Sequence, residues 1–256
     1  MQEQDCDILN SLDLTFEDFT DKLVIGKGKN ERVAIKAYDR HKLSTVKMRS
    51  VRREARMMRC LTTKQIPNTT RFYGAFQDTH YIYIVMEYCP KGDLLELLIR
   101  EGRAMTEKRI CNMVAIPLLT TLQHMHRMGM IHRDIKLENV FVDEDLHVKL
   151  GDFGLTMSIH EERAISPVGT VEYMAPELVK LPSVDKVLSG QFKVDDIVPV
   201  TEKVDIWALG VTCFELVSGK VLSFSFARKV SSEGLFISSD SAVLRFCVYC
   251  AREVSL

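Results

Sequence analysis

Two polar segments at a fixed spacing constrain this chain more than any other feature of its 256 residues. The first is HRDIKLEN (residues 132–139), and the second is DFG (residues 152–154), whose aspartate lies 13 residues after Asn139. Asp134 is a carboxylate suited to accepting the proton of a hydroxyl group, and Asn139 and Asp152 carry the oxygen ligands that Mg²⁺ prefers. The pattern predicts a site that combines a general base with a magnesium ion.

A lysine and a glutamate upstream are spaced so that a strand and a helix can pair them. VAIK (residues 33–36) is predicted to end a strand, and Glu54 follows Lys36 by 18 residues on a helix predicted over residues 46–61. A lysine stem is flexible, so a carboxylate on a packed helix is needed to fix its ammonium group against phosphate oxygens. The alternative is an ordinary surface lysine.

The charge of the chain is balanced, with one local exception. The formal net charge is −1, which gives no global field for nucleic acid or an anionic membrane, so neither is expected as a partner. The exception is a basic stretch: Lys42, Lys47, Arg49, Arg52, Arg53, Arg56 and Arg59. A solvated helix face and a docking or phosphate-facing surface are both open interpretations of it.

The cysteines and the first residues indicate a compartment. Seven cysteines form no regular framework, and the start of the chain lacks the apolar core of a targeting segment. This pattern predicts reduced thiols in a soluble protein of the cytoplasm, the nucleus or both.

Hydrophobic periodicity divides the chain into unlike parts. Residues 19–88 alternate as strands do, with one helix, and residues 89–220 are mainly helical. Residues 1–18 are predicted to be a polar lead-in, and residues 181–201 a polar insert. Residues 221–256 are serine-rich without a sustained period and are predicted to be an atypical tail. The order predicts an α+β fold.

The motifs VAIK, HRDIKLEN, DFG and APE (residues 175–177), in this order, resemble those of eukaryotic-type serine/threonine protein kinases. The resemblance covers residues 19 to about 219. It implies a bilobal fold with a small β-rich lobe (residues 19–88) and a mainly helical lobe (residues 89–220). It also implies ATP and Mg²⁺ as cofactors, serine or threonine in proteins as the target, and regulatory protein partners.

The resemblance assigns roles to individual residues of this chain. Asp134 is the expected base, and Lys136 is expected to approach the transferred phosphate; Lys136 and Thr170 match the serine/threonine branch. Asn139 and Asp152 are the expected Mg²⁺ ligands. The expected nucleotide-binding residues are Gly26, Gly28, Lys36, Glu54, Met86 as gatekeeper, Glu87, Tyr88 and Cys89 as hinge, and Phe141 beneath the base.

Further assignments concern support and regulation. Asp205 is expected to brace the backbone of the HRD segment. Asp93 and Glu138 match acidic positions that receive basic residues of the substrate, which is a hypothesis of basic sequence preference. Ser166 is a hypothetical phosphorylation site whose phosphate would pair with Arg133.

The chain departs from the family pattern at two places. Gly26 lies only ten residues before Lys36, so the glycine-rich loop over the phosphates is shortened, and a plain turn is the alternative for this GxG. After Asp205 only 51 residues follow, and no arginine is identified as a partner for Glu177, which is expected to be buried. Both lobes are therefore expected to be incomplete, as in the product of an alternatively spliced transcript or of a wrongly assigned coding sequence. The alternative function is a kinase-like module of weak or no activity that acts through protein binding.

Overall fold

A computed structural model describes residues 8–10, 32–161, 164, 167–189, 191 and 199–220. The contacts divide the chain into two compact units. The first comprises Met1–Gly92 and Phe141–Gly154, and the second Asp93–Val140 and Leu155–Leu256. Strands dominate the first unit and helices the second, which confirms the α+β, bilobal fold class. The predicted lobe boundary at residue 88 stays a prediction, and the tail 221–256 lies outside the described residues.

The first unit is built on an antiparallel sheet of three strands in the order β1-β3-β2. The strands are β1 (Val33–Asp39), β2 (Phe72–Gln77) and β3 (Tyr81–Glu87). The pairing of β1 with β3 runs from Val33 opposite Glu87 to Asp39 opposite Tyr81. VAIK therefore begins this strand, and the prediction that it ends one is wrong, because the pairing continues for three residues past Lys36.

Helix α1 (Thr45–Thr63) follows β1. The Ser44 side chain accepts a hydrogen bond from the Lys47 backbone N–H at 3.3 Å and so caps the first turn. A stripe at three- and four-residue spacing is buried: Val51, Glu54, Ala55, Met58 and Leu61. The helix predicted over residues 46–61 is confirmed, and the single charge in its buried stripe is Glu54.

A short stretch near the start of the chain also belongs to this unit. Ile8 and Leu9 are 3% and 2% exposed and pack in a 3-10 turn against β2 and α1. The Gln77 side-chain amide donates to Asn10 at 3.1 Å. The segment predicted to be a polar lead-in thus contributes two side chains to the core. The sequence did not indicate this, because two adjacent apolar residues show no periodicity.

Residues 141–154 join the first unit through backbone hydrogen bonds. Strands β5 (Val140–Val142) and β6 (Val148–Leu150) form a two-stranded sheet. Leu150 N–H donates to the Asn68 carbonyl at 2.7 Å, and Thr70 N–H donates to the Leu150 carbonyl at 2.9 Å. The residues that lead into DFG are fixed in this way to the loop between α1 and β2.

In the second unit, α2 (Leu94–Glu101) precedes a longer helical stretch. That stretch consists of α3 (Glu107–Ile110), a π-helical turn at Cys111–Ala115, and α4 (Ile116–Arg127). The sequence predicts one long helix here, capped by Thr106 and ending near Arg127, with a kink at Pro117. Pro117 instead lies in the first turn of α4, where its missing N–H costs little, and the π turn lies just before it.

The remaining elements are short, apart from the last helix. They are β4 (Met130–Ile131), β7 (Met157–Ser158), α5 (Pro176–Val179), α6 (Val184–Leu188) and α7 (Lys203–Ser218). Strands β4 and β7 pair antiparallel. A core of Ile131, Met157, Met174, Leu178 and Val204 is formed by side chains in or next to β4, β7, α5 and α7.

Two further predictions meet the structure in this unit. Glu177 is exposed, so the expectation of a costly buried glutamate without an arginine is wrong: α5 turns this side chain towards solvent. The predicted insert 181–201 contains α6, which begins after Ser183. Within the described residues, none of the helices combines the length and the apolar character needed to cross a membrane.

Candidate active site

The lysine group (Lys36, Tyr38, Glu54 and Asp152) lies in the first unit. Lys36 Nζ donates to Glu54 Oε1 at 2.9 Å and to Asp152 Oδ1 at 3.0 Å. The predicted contact between Lys36 and Glu54 is therefore present, across 18 positions of sequence. The ammonium group of Lys36 is bound by two carboxylates, and its side chain remains one-third exposed.

Electrostatics keep this lysine charged. Burial acts to lower the pKa of Lys36, but the charges of Glu54 and Asp152 outweigh it and hold the pKa above its usual range. Burial also raises the pKa of the Glu54 carboxyl, and the Lys36 ammonium opposes that rise. The Tyr38 hydroxyl donates to Glu54 Oε2, a contact that the sequence analysis missed.

The DFG segment places its residues in two different environments. Asp152 adopts a left-handed backbone conformation with φ 55°, which is uncommon for a residue other than glycine. Its side chain is 40% exposed, whereas Phe153 is fully buried. Met58 on α1 is fully buried as well.

The predicted adenine-binding residues span the end of β3: Met86 and Glu87 are its last two residues, and Tyr88 and Cys89 follow it. Glu87 accepts from the Lys149 ammonium at 3.1 Å, and its N–H donates to the Arg71 carbonyl. Tyr88 is 41% exposed, while burial raises the pKa of the Cys89 thiol to about 12. Met86 is half-buried. The roles of these residues as gatekeeper and hinge stay predictions.

Phe141, the predicted residue beneath the base, is also half-buried and lies in β5. A Cβ atom at Gly151 would come within 2.7 Å of the Phe141 ring. Gly151, the residue before DFG, therefore leaves room for the Phe141 ring, which a larger side chain at this position would displace.

The aspartate group (Asp134, Lys136, Asn139 and Thr170) lies in the second unit. Asp134 Oδ1 accepts from the Thr170 N–H at 3.1 Å and from the Thr170 hydroxyl at 2.9 Å. Asp134 Oδ2 accepts from the Asn139 amide at 2.8 Å, with Lys136 Nζ at 3.3 Å. Lys136 Nζ also donates to Thr170 Oγ1 at 2.8 Å. The predicted base and lysine thus enclose one hydroxyl oxygen.

Asp205 holds the loop that carries this group. Its carboxylate, with no exposed surface, accepts from the backbone N–H of His132 at 2.9 Å and of Arg133 at 2.8 Å. His126 Nε2 lies 2.8 Å from the same carboxylate. Arg133 has φ 68°, so the two hydrogen bonds fix a backbone conformation that would otherwise be unfavourable. His132 is fully buried.

The segment around Thr170 is positioned by a close backbone approach and a buried hydrogen bond. Gly169 has φ 122°, and a Cβ atom there would lie 2.6 Å from the Arg133 carbonyl oxygen. The Tyr173 hydroxyl donates to Glu215 on α7, and burial together with that carboxylate raises the pKa of Tyr173. Sequence reasoning missed Glu215, although a glutamate inside the apolar run of α7 is itself a signal of a buried partner.

Three of the predicted residues, Gly26, Gly28 and Ser166, lie outside the described residues. The shortened glycine loop and the phosphorylation of Ser166 stay predictions. The described part of the chain contains no group of three or more histidine, cysteine or acidic side chains able to hold a metal ion.

Comparison with known proteins identifies the family. The model of the protein kinase domain family matches residues 22–237. The chain belongs to this family.

Several serine/threonine kinases of yeasts are similar to the chain. Serine/threonine-protein kinase cds1 of Schizosaccharomyces pombe is 32% identical over 204 residues, which is 78% of this chain and 42% of that protein. Serine/threonine-protein kinase ppk16 of the same yeast is 38% identical over 158 residues, 60% of this chain and 21% of that protein. The cell cycle serine/threonine-protein kinase CDC5/MSD2 of Saccharomyces cerevisiae is 34% identical over 184 residues, 69% of this chain and 24% of that protein. The chain spans less than half the length of each.

Proposed function

We propose that this chain catalyses ATP-dependent phosphorylation of serine and threonine in protein substrates. The observation that carries the proposal is the hydrogen-bonding of Asp134 in the aspartate group. Its carboxylate accepts from a hydroxyl group, that of Thr170, and the Lys136 ammonium binds the same hydroxyl oxygen. A substrate serine offers the same chemical group to the same pair.

Asp134 is the proposed general base. Its two oxygens accept from Thr170 and Asn139, so the carboxylate is oriented before a substrate arrives. Lys136 contributes a positive charge 3.3 Å from the base and stabilises negative charge on the transferred group. Family membership and the similar serine/threonine kinases support this assignment.

The family generally uses ATP and Mg²⁺, and the residues present fit both. Asn139 directs its amide nitrogen to Asp134, which leaves its carbonyl oxygen as a ligand for a hard cation. In the first unit, the Asp152 carboxylate is a proposed oxygen ligand for a hard cation, and the Lys36 ammonium offers a positive charge for phosphate oxygens. Bound Mg·ATP would supply the phosphoryl group and neutralise part of its charge.

The proposed substrates carry basic residues near the target serine. Glu138 Oε2 is buried and has no hydrogen-bond partner among the described residues. Burial raises the pKa of Asp93, and the Glu138 charge adds to that rise. The positive charge of a substrate arginine or lysine would favour the charged forms of the Asp93 and Glu138 carboxyls. Peptide arrays with and without basic residues test this preference, and equal phosphorylation of both sets would contradict it.

Location and regulation are proposed on the sequence alone. The scattered cysteines support a cytoplasmic or nuclear location, which imaging of the tagged protein tests. Regulatory protein partners are proposed from the family resemblance.

The activity is tested with γ-labelled ATP, Mg²⁺ and a basic serine peptide, in the natural chain and in Asp134→Asn. General-base catalysis contributes about 10²–10⁴-fold, so we expect label transfer to fall by about 10³-fold in the variant, with the ADP affinity unchanged within twofold. Asp145→Asn, an exposed aspartate, is the matched control. Transfer that survives Asp134→Asn, or a folded natural chain that transfers no label, would contradict the proposal.

A further inference from the structure

Tyr38 occupies the position in β1 that follows Lys36 by two residues. Side chains two apart on a strand lie on the same face, so the tyrosine and the lysine both face α1. Lys36 Nζ lies 5.4 Å from the centre of the Tyr38 ring. The tyrosine hydroxyl reaches Glu54 on that helix.

Glu54 is consequently held by two donors on different oxygens. Lys36 Nζ binds Oε1, and the Tyr38 hydroxyl binds Oε2. The Glu54 side chain is almost fully buried, so water cannot replace a lost donor at low cost. A carboxylate bound at one oxygen can still rotate about its terminal bond, whereas one bound at both oxygens keeps its orientation towards the lysine.

We propose that Tyr38 is a positioning residue, which fixes the Glu54 carboxylate so that Lys36 is held ready for the phosphates of the nucleotide. The inference rests on the proposed function, since it concerns the same site. Tyr38 acts through Glu54 and touches no reacting atom. It also links β1 to α1 by a side-chain hydrogen bond that does not involve the lysine.

The test compares Tyr38→Phe with Tyr83→Phe. The Tyr83 hydroxyl donates to Asp78 at 3.0 Å in the same sheet, so the control also loses a tyrosine–carboxylate hydrogen bond, away from Lys36. Two quantities are measured: the affinity for a fluorescent ADP analogue with Mg²⁺, and hydrogen exchange of α1 amides in the nucleotide-free protein.

In Tyr38→Phe we expect about tenfold weaker binding of the analogue and about tenfold faster hydrogen exchange in α1. A tenfold effect is at the lower end of the range for losing a hydrogen bond to a charged group. The KM for ATP should rise by a similar factor with kcat nearly unchanged. Tyr83→Phe should change the affinity, and the exchange in α1, by less than twofold. Equal behaviour of the two variants would overturn the proposal.

A double-mutant cycle shows whether Tyr38 acts through Glu54. In a Glu54→Ala background the hydroxyl has no carboxylate to bind, so adding Tyr38→Phe should change nucleotide affinity by less than twofold. A full tenfold loss in that background would overturn the proposal. If the natural chain binds no nucleotide, the proposed function fails, and exchange in α1 still decides whether Tyr38 anchors Glu54.

Discussion

Two buried carboxylates support the two groups of site residues, and they do so by different means. Glu54 in the first unit binds side chains, the Lys36 ammonium and the Tyr38 hydroxyl. Asp205 in the second unit binds two backbone N–H groups, those of His132 and Arg133, in addition to the His126 ring. A side chain leaves its partner by rotating about its own bonds, whereas a backbone N–H moves only with the chain.

The two carboxylates therefore differ in what depends on them: Glu54 positions a side chain that can move, whereas Asp205 holds the backbone of a loop. Loss of Glu54 releases a lysine ammonium that is one-third exposed and that keeps Asp152 as a partner. Loss of Asp205 removes a buried acceptor from the N–H groups of His132, which is fully buried, and of Arg133, which already has an unfavourable φ. We therefore expect changes at Glu54 to affect ligand binding, and changes at Asp205 to affect folding as well.

The largest effect is expected for Asp205→Asn. An asparagine offers one acceptor where the loop presents two donors, and its amide group would face an N–H. We expect the free energy of unfolding to fall by about 3 kcal/mol, measured by urea denaturation. Asp185→Asn, an exposed aspartate in α6, serves as control and should change it by less than about 0.5 kcal/mol. A loss of less than 1 kcal/mol would show that the loop holds itself without Asp205.

The next largest effect is expected for Gly169→Ala. The added Cβ would meet the Arg133 carbonyl, so the backbone next to Thr170 must move away from Asp134. Displacement of this kind typically costs about 100-fold in rate, which we expect in kcat. Gly102→Ala is the matched control, because Gly102 also has a positive φ but no atom within 4 Å of the added Cβ. It should lose about 1 kcal/mol of stability and little activity. Equal kcat values in both variants would mean that the position of Thr170 is unimportant.

The smallest of the three effects is expected for Glu54→Gln, and it tests the difference between Glu54 and Asp205 most directly. Glu54→Gln removes the charge of this side chain but keeps its shape. Burial already raises the pKa of the Glu54 carboxyl, so the charged form is disfavoured there. We expect the affinity for ADP to fall about tenfold while the free energy of unfolding changes by less than about 1 kcal/mol. Isothermal titration and urea denaturation measure the two quantities. A destabilisation as large as that of Asp205→Asn would remove the distinction between the two carboxylates.

The sequence predicted the site residues better than their supports. Asp134, Lys136 and Asn139 lie in one segment of eight residues, so the motif alone brought them together. Lys36 and Glu54 were paired because a strand and a helix of predictable length separate them. The family resemblance implies that Asp205 braces the HRD backbone, and in the structure its carboxylate accepts hydrogen bonds from two backbone N–H groups of that segment.

The contacts that were missed depend on packing rather than on motifs. Tyr38 is a common residue of strands, and only its two-residue spacing from Lys36 indicated that it faces the same helix. Glu215 is bound by Tyr173 across 42 positions, which periodicity does not report. Glu177 was expected to be buried by analogy, and α5 exposes it.

Ile8 and Leu9 bear on how this protein is to be produced for measurement. A recombinant chain that starts at residue 19, where the kinase-like pattern begins, would lack both side chains. Each contributes about 1.5–3 kcal/mol when buried, and both pack against the helix that carries Glu54. Weak nucleotide binding by such a shortened chain would therefore report an uncovered helix rather than the chemistry of Lys36.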